Sequence, residues 1–163
     1  CIRDSAYIKA ALSYIALRDY LGDELFKKAL HHYMELWHGK HPTPWDFFYS
    51  INAGAGQNLN WYWKNWYFTN NYIDLKVDSF KQLGGKNTLT ITNVGGFAIP
   101  FDVLITYADG SVETKHQTPA IWQHNEKQAS MTWSSTKKVK NITLDGGIFM
   151  DYTAKDNSWN VIK

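Results

Sequence analysis

The chain has 163 residues, 44% of them hydrophobic and 20% charged, which suits one ordinary globular domain or two small ones. The net charge is only +2, with Lys and Arg scattered among Asp and Glu, so the dense basic face expected of a nucleic-acid or anionic-membrane partner is missing. No stretch approaches the roughly 20 apolar residues of a membrane span, and the single cysteine, Cys1, excludes an internal disulfide.

Apolar residues recur at helical spacing through residues 5–68, which predicts about four helices joined by short connections. Gly22 is expected to end the first helix, and Asp23 to cap the second. The predicted buried stripe of the first helix comprises Tyr7, Ala10, Ala11, Tyr14, Ile15 and Leu21. The predicted buried face of the second helix comprises Phe26, Ala29, Leu30, Tyr33 and Trp37.

The segment HPTPWDFF carries a helix-start signal. Thr43 is expected as the N-cap, Pro44 as the first helical residue, and Asp46 completes a capping pattern three residues after the cap. The Gly-rich stretch NAGAGQN, residues 52–58, is expected to break this third helix, and Asn58 to cap a fourth. Because no Lys-Ser/Thr follows the glycines and no strand precedes them, a helix–helix connection is favoured over a phosphate site.

The fourth predicted helix, over residues 59–68, holds six aromatic side chains within the eight positions from Trp61 to Phe68. Such a run is either a stacking platform for a sugar or base, or part of a core. A helix that is apolar on all sides is normally buried on several sides, whereas sugar platforms come more often from strands or exposed loops. Periodicity therefore favours a core segment.

From about Tyr72 the hydrophobic period changes to two, which predicts six or seven short strands. The predicted strands are NTLTITNV, PFDVLITY, SVETKHQT, SMTWSS, KVKNITLD and WNVIK, with a hairpin turn at Asp109-Gly110. Strands of this number and spacing are typical of an immunoglobulin-like β-sandwich. The predicted fold class is thus α+β, with a helical segment over residues 1–72 and a β-sandwich domain over residues 73–163.

Few side chains form a pattern typical of metal or nucleophile chemistry. Four histidines cluster at His31, His32, His38 and His41, with Glu35 close by, and two of them with Glu35 approach a ligand pattern. No cysteine or second carboxylate completes that set, so a solvated helix face is favoured. A calcium site from Asp145, Asp151 and Asp156 is a minor alternative. Nothing resembles a nucleophile elbow, and a Ser/His/Asp site is neither supported nor excluded.

Three motifs together resemble a known family: AYIKAALSYIALRDYLGDELFKKAL, then HPTPWDFF, then LNWYWKNWYF. In this order they are similar to the end of the catalytic region of zinc metallopeptidases of the aminopeptidase-N (gluzincin) family, in its bacterial branch. The resemblance covers residues 5–77, and the β half is similar to the small immunoglobulin-like module that follows in that family. In the family the aromatic run is a terminal helix, so Trp63 and Trp66 are expected inside and Tyr62 and Lys64 exposed.

The resemblance implies a Zn²⁺ held by a His-Glu-x-x-His helix and a downstream Glu, with a tyrosine that donates a hydrogen bond to the oxyanion. Tyr7, Lys9, Leu21 and Gly22 match the family's pattern around that tyrosine, so the role is carried to Tyr7. A phenol is protonated at neutral pH and donates without bearing charge. No His-Glu dipeptide occurs in the chain, so the zinc motif is absent from it.

These features predict a fragment of a peptidase acting on peptide substrates, since the chain begins CIRDSAY without an initiator Met. The zinc ligands would lie upstream, and the fragment alone is expected to bind no catalytic zinc and to be inactive. The resemblance also implies a periplasmic or otherwise exported protein. The alternative is a non-catalytic carbohydrate- or peptide-binding module that uses exposed aromatic side chains. Oligomeric state and side-chain specificity are not indicated by the sequence.

Overall fold

The computed structural model describes residues 7–161. It divides the chain into two compact units, Cys1–Thr69 and Asn70–Lys163. The first unit is helical, and the second contains two antiparallel sheets. This α+β layout, with a β-sandwich-like C-terminal part, confirms the predicted fold class.

Four α-helices make up the described part of the helical unit: α1 (Lys9–Leu21), α2 (Asp23–Trp37), α3 (Pro44–Ala55) and α4 (Asn60–Tyr67). Their number and short connections agree with the prediction. The predicted helical start at residue 5 lies outside the described residues.

The ends of α1, α2 and α3 test three of the capping predictions. Gly22, with φ of 76°, ends α1 as expected. The expectation that Asp23 caps α2 is wrong, because Gly22 is the N-cap. The Asp23 carboxylate instead pairs with Arg18, with 2.6 Å between Asp23 Oδ1 and Arg18 Nε. At α3 the prediction is confirmed: Thr43 and Asp46 form a reciprocal capping box, with Pro44 in the first helical position.

The buried face of α1 differs from the predicted stripe. Ser13, Ala16 and Leu17 are buried, whereas Tyr14 and Ile15 are exposed. Two small side chains, Ser13 and Ala16, let α1 lie close to its neighbours, and the Ser13 hydroxyl is satisfied by hydrogen bonds. Ser13 is buried because its hydroxyl finds hydrogen-bond partners in the fold. A polar residue of this kind does not contribute to the apolar pattern from which a buried helix face is predicted.

The Gly-rich stretch is helical for longer than predicted. Helix α3 continues through Gly54 to Ala55, and Gly56 ends it in the left-handed conformation, with φ of 62°. A Cβ on Gly54 would lie 2.7 Å from the Cα of Ala29 on α2. Gly54 therefore permits the close approach of α2 and α3 and is not a helix breaker.

One amide side chain connects α3 with the start of α4. Asn52 Oδ1 accepts hydrogen bonds from Trp63 Nε1, at 2.8 Å, and from the Leu59 N–H, at 3.3 Å. Asn52 Nδ2 donates to Asn60 Oδ1 at 2.9 Å. The predicted cap Asn58 accepts from the Asn60 N–H, although Leu59 occupies the N-cap position. The turn between the two helices is thus held by amide groups.

The aromatic run lies in α4 apart from Phe68, which follows the helix and is exposed, and its central residues are core, as periodicity indicated. Trp63 and Trp66 are buried and Lys64 is exposed, which confirms three of the four expectations. The expected exposure of Tyr62 is wrong, because its side chain has no solvent-exposed area and its hydroxyl donates to the Ser13 carbonyl at 2.5 Å. A buried tyrosine of this kind needs a hydrogen-bond acceptor, which α1 supplies.

Seven strands lie in the described part of the second unit. They are β1 (Leu75–Leu83), β2 (Lys86–Asn93), β3 (Phe101–Tyr107), β4 (Val112–Gln117), β5 (Gln128–Ser134), β6 (Val139–Asp145) and β7 (Ser158–Asn160). One sheet has the order β1-β2-β5 and the other β4-β3-β6-β7, with antiparallel pairing throughout. Buried residues alternate along β2, β3 and β5, as in a sandwich core.

The predicted strands correspond to β2 through β7, and the Asp109-Gly110 hairpin joins β3 to β4. Gly110 has φ of 84°, and Asp109 Oδ1 accepts from the Ser111 N–H. Strand β1 was not among the predicted segments. Its register shifts between Val77 and Ser79, and a bulge of this kind interrupts the alternation that marks a strand in the sequence.

Candidate functional site

Tyr7 lies in a π-type helical turn directly before α1, and 71% of the residue's surface is exposed. Lys9, two residues later, is partly buried, and its Nζ donates to the Thr69 carbonyl oxygen at 3.3 Å. Burial lowers the pKa of Lys9. The phenol of Tyr7 thus faces solvent. The hydrogen bond from Lys9 to Thr69 fixes the adjacent start of α1 against the end of the helical unit.

Helix α1, which carries this turn, is fixed to α4 by hydroxyl groups. The Ser13 and Tyr67 hydroxyls share a hydrogen bond at 2.5 Å, and the Tyr62 hydroxyl donates to the Ser13 carbonyl. Burial raises the pKa of both Tyr62 and Tyr67. Both phenols therefore stay protonated and serve as structural hydrogen-bond donors between α1 and α4.

The histidine cluster does not form a metal site in the part of the chain that the structure describes. His31, His38 and His41 are exposed, and His31 and His32 line a shallow cavity with the charged residues of α2. Over residues 7–161, only Asp74, Asp151 and Asp156 form a group of three or more His, Cys, Asp or Glu side chains placed to hold a metal ion. The histidines form a largely exposed helix face and its following loop, as the sequence favoured.

The carboxylate cluster differs from the predicted calcium site in one member. Asp151 and Asp156 come together with Asp74, and one carboxylate oxygen of each lies within 4.8 Å of the others. Asp145, the third predicted ligand, instead accepts a hydrogen bond from the Gly147 N–H in a turn. Asp74 directly precedes β1, the strand that the sequence pattern missed, and this explains why it was not grouped with the other two.

An aromatic pocket on the helical unit was not predicted from the sequence. It encloses about 360 Å³ and is lined by Trp45, Phe48, Tyr49, Asn60, Trp63, Lys64 and Phe68. Trp45, Tyr49 and Phe68 are more than half exposed. The Trp45 ring stacks on Phe68, with centroids 5.1 Å apart and an interplanar angle of 15°. The sequence feature that could have indicated this pocket is Trp45, a large apolar residue in the first turn of α3. The capping residues around it, Thr43 and Asp46, are polar, so this turn lies near the surface.

Comparisons with known proteins give a structural likeness only. No family model matches the sequence, and no curated protein matches it. Among solved structures, the chain is similar to aminopeptidase A of Legionella pneumophila, crystallised in complex with aspartic acid, with a TM-score of 0.60 and 19% sequence identity. The match covers 79% of this chain and 15% of the length of that aminopeptidase.

At this identity the likeness establishes the fold: residues of this chain adopt an arrangement that is found within an aminopeptidase. Within residues 7–161, every helix is too short or too polar to cross a lipid bilayer.

Proposed function

We propose that this chain is part of a zinc-dependent metallopeptidase of the aminopeptidase type that hydrolyses peptide substrates. The observation that carries the proposal is the fold likeness to an aminopeptidase across 79% of the chain. The three motifs quoted above support the finer assignment to the aminopeptidase-N (gluzincin) family, with an immunoglobulin-like β unit. The same resemblance is the basis for proposing a periplasmic or envelope location, which cell fractionation would test.

The residues that the structure describes do not fit a catalytic zinc. Zinc in peptidases takes histidine nitrogen together with carboxylate ligands, and the one candidate group over residues 7–161 consists of carboxylates alone. The proposal therefore places the zinc ligands and the general base in sequence outside this chain. What the chain contributes to the reaction is a hydrogen-bond donor.

Tyr7 is the proposed donor to the oxyanion of the tetrahedral intermediate. Its exposure leaves the hydroxyl accessible to a substrate, and a neutral phenol stabilises developing negative charge without requiring a counter-ion. The loss of one donor of this kind costs about 10²–10³ in kcat, or roughly 2.7–4 kcal/mol of transition-state stabilisation.

The test uses the longer protein that contains this segment, assayed with aminoacyl-coumarin substrates. Tyr7→Phe is expected to lower kcat by about 10²–10³ with little change in KM, because the interaction forms mainly in the transition state. Tyr14→Phe is the matched control. It removes the hydroxyl of a tyrosine on α1 whose ring packs edge-on against Phe47, and kcat should not change. An unaltered kcat in Tyr7→Phe removes Tyr7 from the mechanism.

The metal dependence of the parent is tested separately. Removal of metal from the longer protein with a chelator should abolish hydrolysis, and zinc should restore it. The 163-residue chain alone should neither hydrolyse these substrates nor bind catalytic zinc. Zinc-dependent hydrolysis by the isolated chain would contradict the placement of the ligands outside it.

A non-catalytic binding module is the second candidate, and the aromatic pocket is the observation that favours it. Sugars bind to exposed aromatic faces, and Trp45 and Tyr49 offer such surfaces beside the polar groups of Asn60 and Lys64. The informative variant is Trp45→Ala, since Trp63 is only 2% exposed and its removal would disturb the core. Titration with oligosaccharides, followed by tryptophan fluorescence, should show saturable binding that Trp45→Ala abolishes; the absence of any binding excludes this candidate.

A further inference from the structure

Three aspartates from distant parts of the chain meet in the β unit. Asp74 directly precedes β1, whereas Asp151 and Asp156 belong to the segment between β6 and β7. One carboxylate oxygen of each lies within 4.8 Å of the others. Like charges at this separation repel unless a proton or a cation lies among them.

The burial of Asp74 is a second observation, separate from the clustering. Only 4% of Asp74 is exposed, and among residues 7–161 no hydrogen-bond donor reaches its Oδ1 atom. Its Oδ2 accepts a long hydrogen bond from the Thr153 hydroxyl, at 3.4 Å. A buried carboxylate oxygen without a donor is costly, and such groups normally pair with a cation or coordinate a metal.

The charges around Asp74 are of one sign. The charged groups that act on Asp74 are the carboxylates of Asp151 and Asp156, and its hydrogen-bonding neighbours, the hydroxyls of Thr153 and Tyr72, are neutral. Asp156 also has a buried Oδ1 that no donor in the described part of the chain reaches. Two of the three carboxylates thus present an oxygen to which no group among residues 7–161 donates a hydrogen bond.

Backbone N–H groups hold Asp151 in place and leave part of its acceptor capacity available to an ion. Asp151 Oδ2 accepts from the Leu75 N–H at 2.7 Å, and its Oδ1 accepts from the Thr153 N–H at 2.8 Å. The Tyr152 N–H donates to the Ile73 carbonyl at 2.9 Å. Each carboxylate oxygen has two lone pairs, so Asp151 retains acceptor capacity after making these bonds.

We propose that Asp74, Asp151 and Asp156 bind a calcium ion. Calcium takes six to eight oxygen ligands in flexible geometry, and aspartate carboxylates are among its commonest ligands in proteins. An all-oxygen donor set does not suit zinc or copper, which prefer nitrogen or sulfur. A bound ion would offset most of the negative charge of the cluster and tie the start of β1 to the segment before β7. This proposal does not depend on the peptidase function.

The first test is the melting temperature of the 163-residue chain after treatment with EDTA and dialysis. With CaCl₂ titrated to about 10 mM, above the weakest protein calcium sites of about 1 mM, the Tm should rise. Each tenfold increase in Ca²⁺ beyond Kd is expected to add roughly 3–5 °C for a chain of this size. NaCl at matched ionic strength controls for screening, and MgCl₂ controls for the identity of the ion.

Asp74→Asn, which keeps the shape of the side chain and removes its charge, should abolish the calcium response. Asp145→Asn is the matched control, because Asp145 lies in the same unit but outside the cluster, and its response should equal that of the wild type. If Asp74→Asn lacks a native circular dichroism spectrum, Asp156→Asn takes its place. No Tm shift with CaCl₂, an equal shift with MgCl₂, or a full response in a natively folded Asp74→Asn would overturn the proposal.

The second test detects binding directly with terbium, a luminescent substitute for calcium. The rings of Tyr72 and Tyr152 lie 5.8 Å apart, and these residues neighbour Asp74 and Asp151 in the chain. Excitation of the protein should sensitise Tb³⁺ emission, CaCl₂ should displace it, and Asp74→Asn should lose it while Asp145→Asn retains it. Emission that CaCl₂ does not displace would count against the site.

Discussion

The two units differ in how far their cores depend on contacts between aromatic rings. Five of the eight tryptophans lie in the helical unit, where Phe48 stacks on Trp63 with centroids 4.9 Å apart and Phe47 meets Trp63 edge-on at 5.8 Å. In the β unit, many alternating positions hold aliphatic residues with no exposed surface, among them Leu89, Ile91, Val103, Ile105 and Ile142, and fewer of the buried rings contact one another. Ring contacts depend on orientation, whereas aliphatic packing depends mainly on volume. The helical core should therefore be less tolerant of substitution.

Trp63→Ala probes this difference most strongly. It removes a ring that is 2% exposed, together with the hydrogen bond from its Nε1 to Asn52, and should cost about 3–5 kcal/mol of unfolding free energy. Urea unfolding followed by far-ultraviolet circular dichroism measures the loss. Trp45→Ala, at a residue that is 53% exposed in the same unit, is the control and should cost much less. Equal losses in the two variants would contradict the proposed role of the ring core.

Gly54→Ala tests the close approach of α2 and α3. The added Cβ would meet the Cα of Ala29 at 2.7 Å and the Cβ of His32 at 2.9 Å, so the helices must move apart. Overpacking of this kind costs about 1–3 kcal/mol, measured as a lower urea midpoint. Ala53→Ser, at the exposed neighbouring position, should leave the midpoint almost unchanged. A Gly54→Ala protein of wild-type stability would show that the contact is easily relaxed.

Ile105→Val is the corresponding change in the β unit. It removes one methylene from a residue with no exposed surface, and should cost about 0.5–1.5 kcal/mol. Ile148→Val makes the same change at a residue that is 58% exposed, and little effect is expected. Hydrogen exchange of the β3 amides would show the loss locally. A cost for Ile105→Val that matched Trp63→Ala would remove the distinction between the two cores.

The smallest expected effect is a pH dependence in the β3–β4 hairpin. Hydrogen bonds from Ser111, followed by one from Lys137, hold the pKa of Asp109 at about 2, below its ordinary value of 3.8. Because the folded state favours the charged form, the contribution is present above pH 3.8 and is lost as the pH falls toward about 2. The side chain is exposed to solvent, so the change is expected to be small.

Urea midpoints of the wild type and Asp109→Asn, compared at about pH 5 and about pH 2, measure this contribution. The difference between the two proteins should shrink as the pH falls. A difference that did not vary with pH would show that the hairpin does not depend on the charge of Asp109.

The predictive power of the sequence also differed between the units. Alternation and runs of β-branched residues located β2 through β7, because one-sided burial gives a period of two wherever the ladder is regular. It missed β1, where the bulge after Val77 interrupts that period. In the helical unit the number of helices and the cap at Thr43 were predictable. The buried face of α1 and the burial of Tyr62 on α4 were not, because Ser13 and Tyr62 are buried through hydrogen bonds to each other's helices.

The candidate sites were also only partly predictable, because each joins residues that are distant in the sequence. Asp151 and Asp156 were identified in the sequence as possible calcium ligands. Their partner Asp74 precedes the first strand, whereas the other two follow the sixth, so only the topology of the sheets brings the three together. The aromatic pocket likewise joins residues from α3 with residues from α4. Tyr7 was identified by resemblance alone, and its function stays a prediction that kinetics must test.

The Asn52 amide has a consequence for the way in which the helical unit opens. Because one side chain bonds Trp63, the Leu59 amide and Asn60, neither the end of α3 nor the start of α4 can fray without breaking bonds of the other. The two segments should therefore open as one cooperative unit, with similar hydrogen-exchange protection. The short connection between α3 and α4, which contains one glycine, Gly56, thus behaves as a rigid joint.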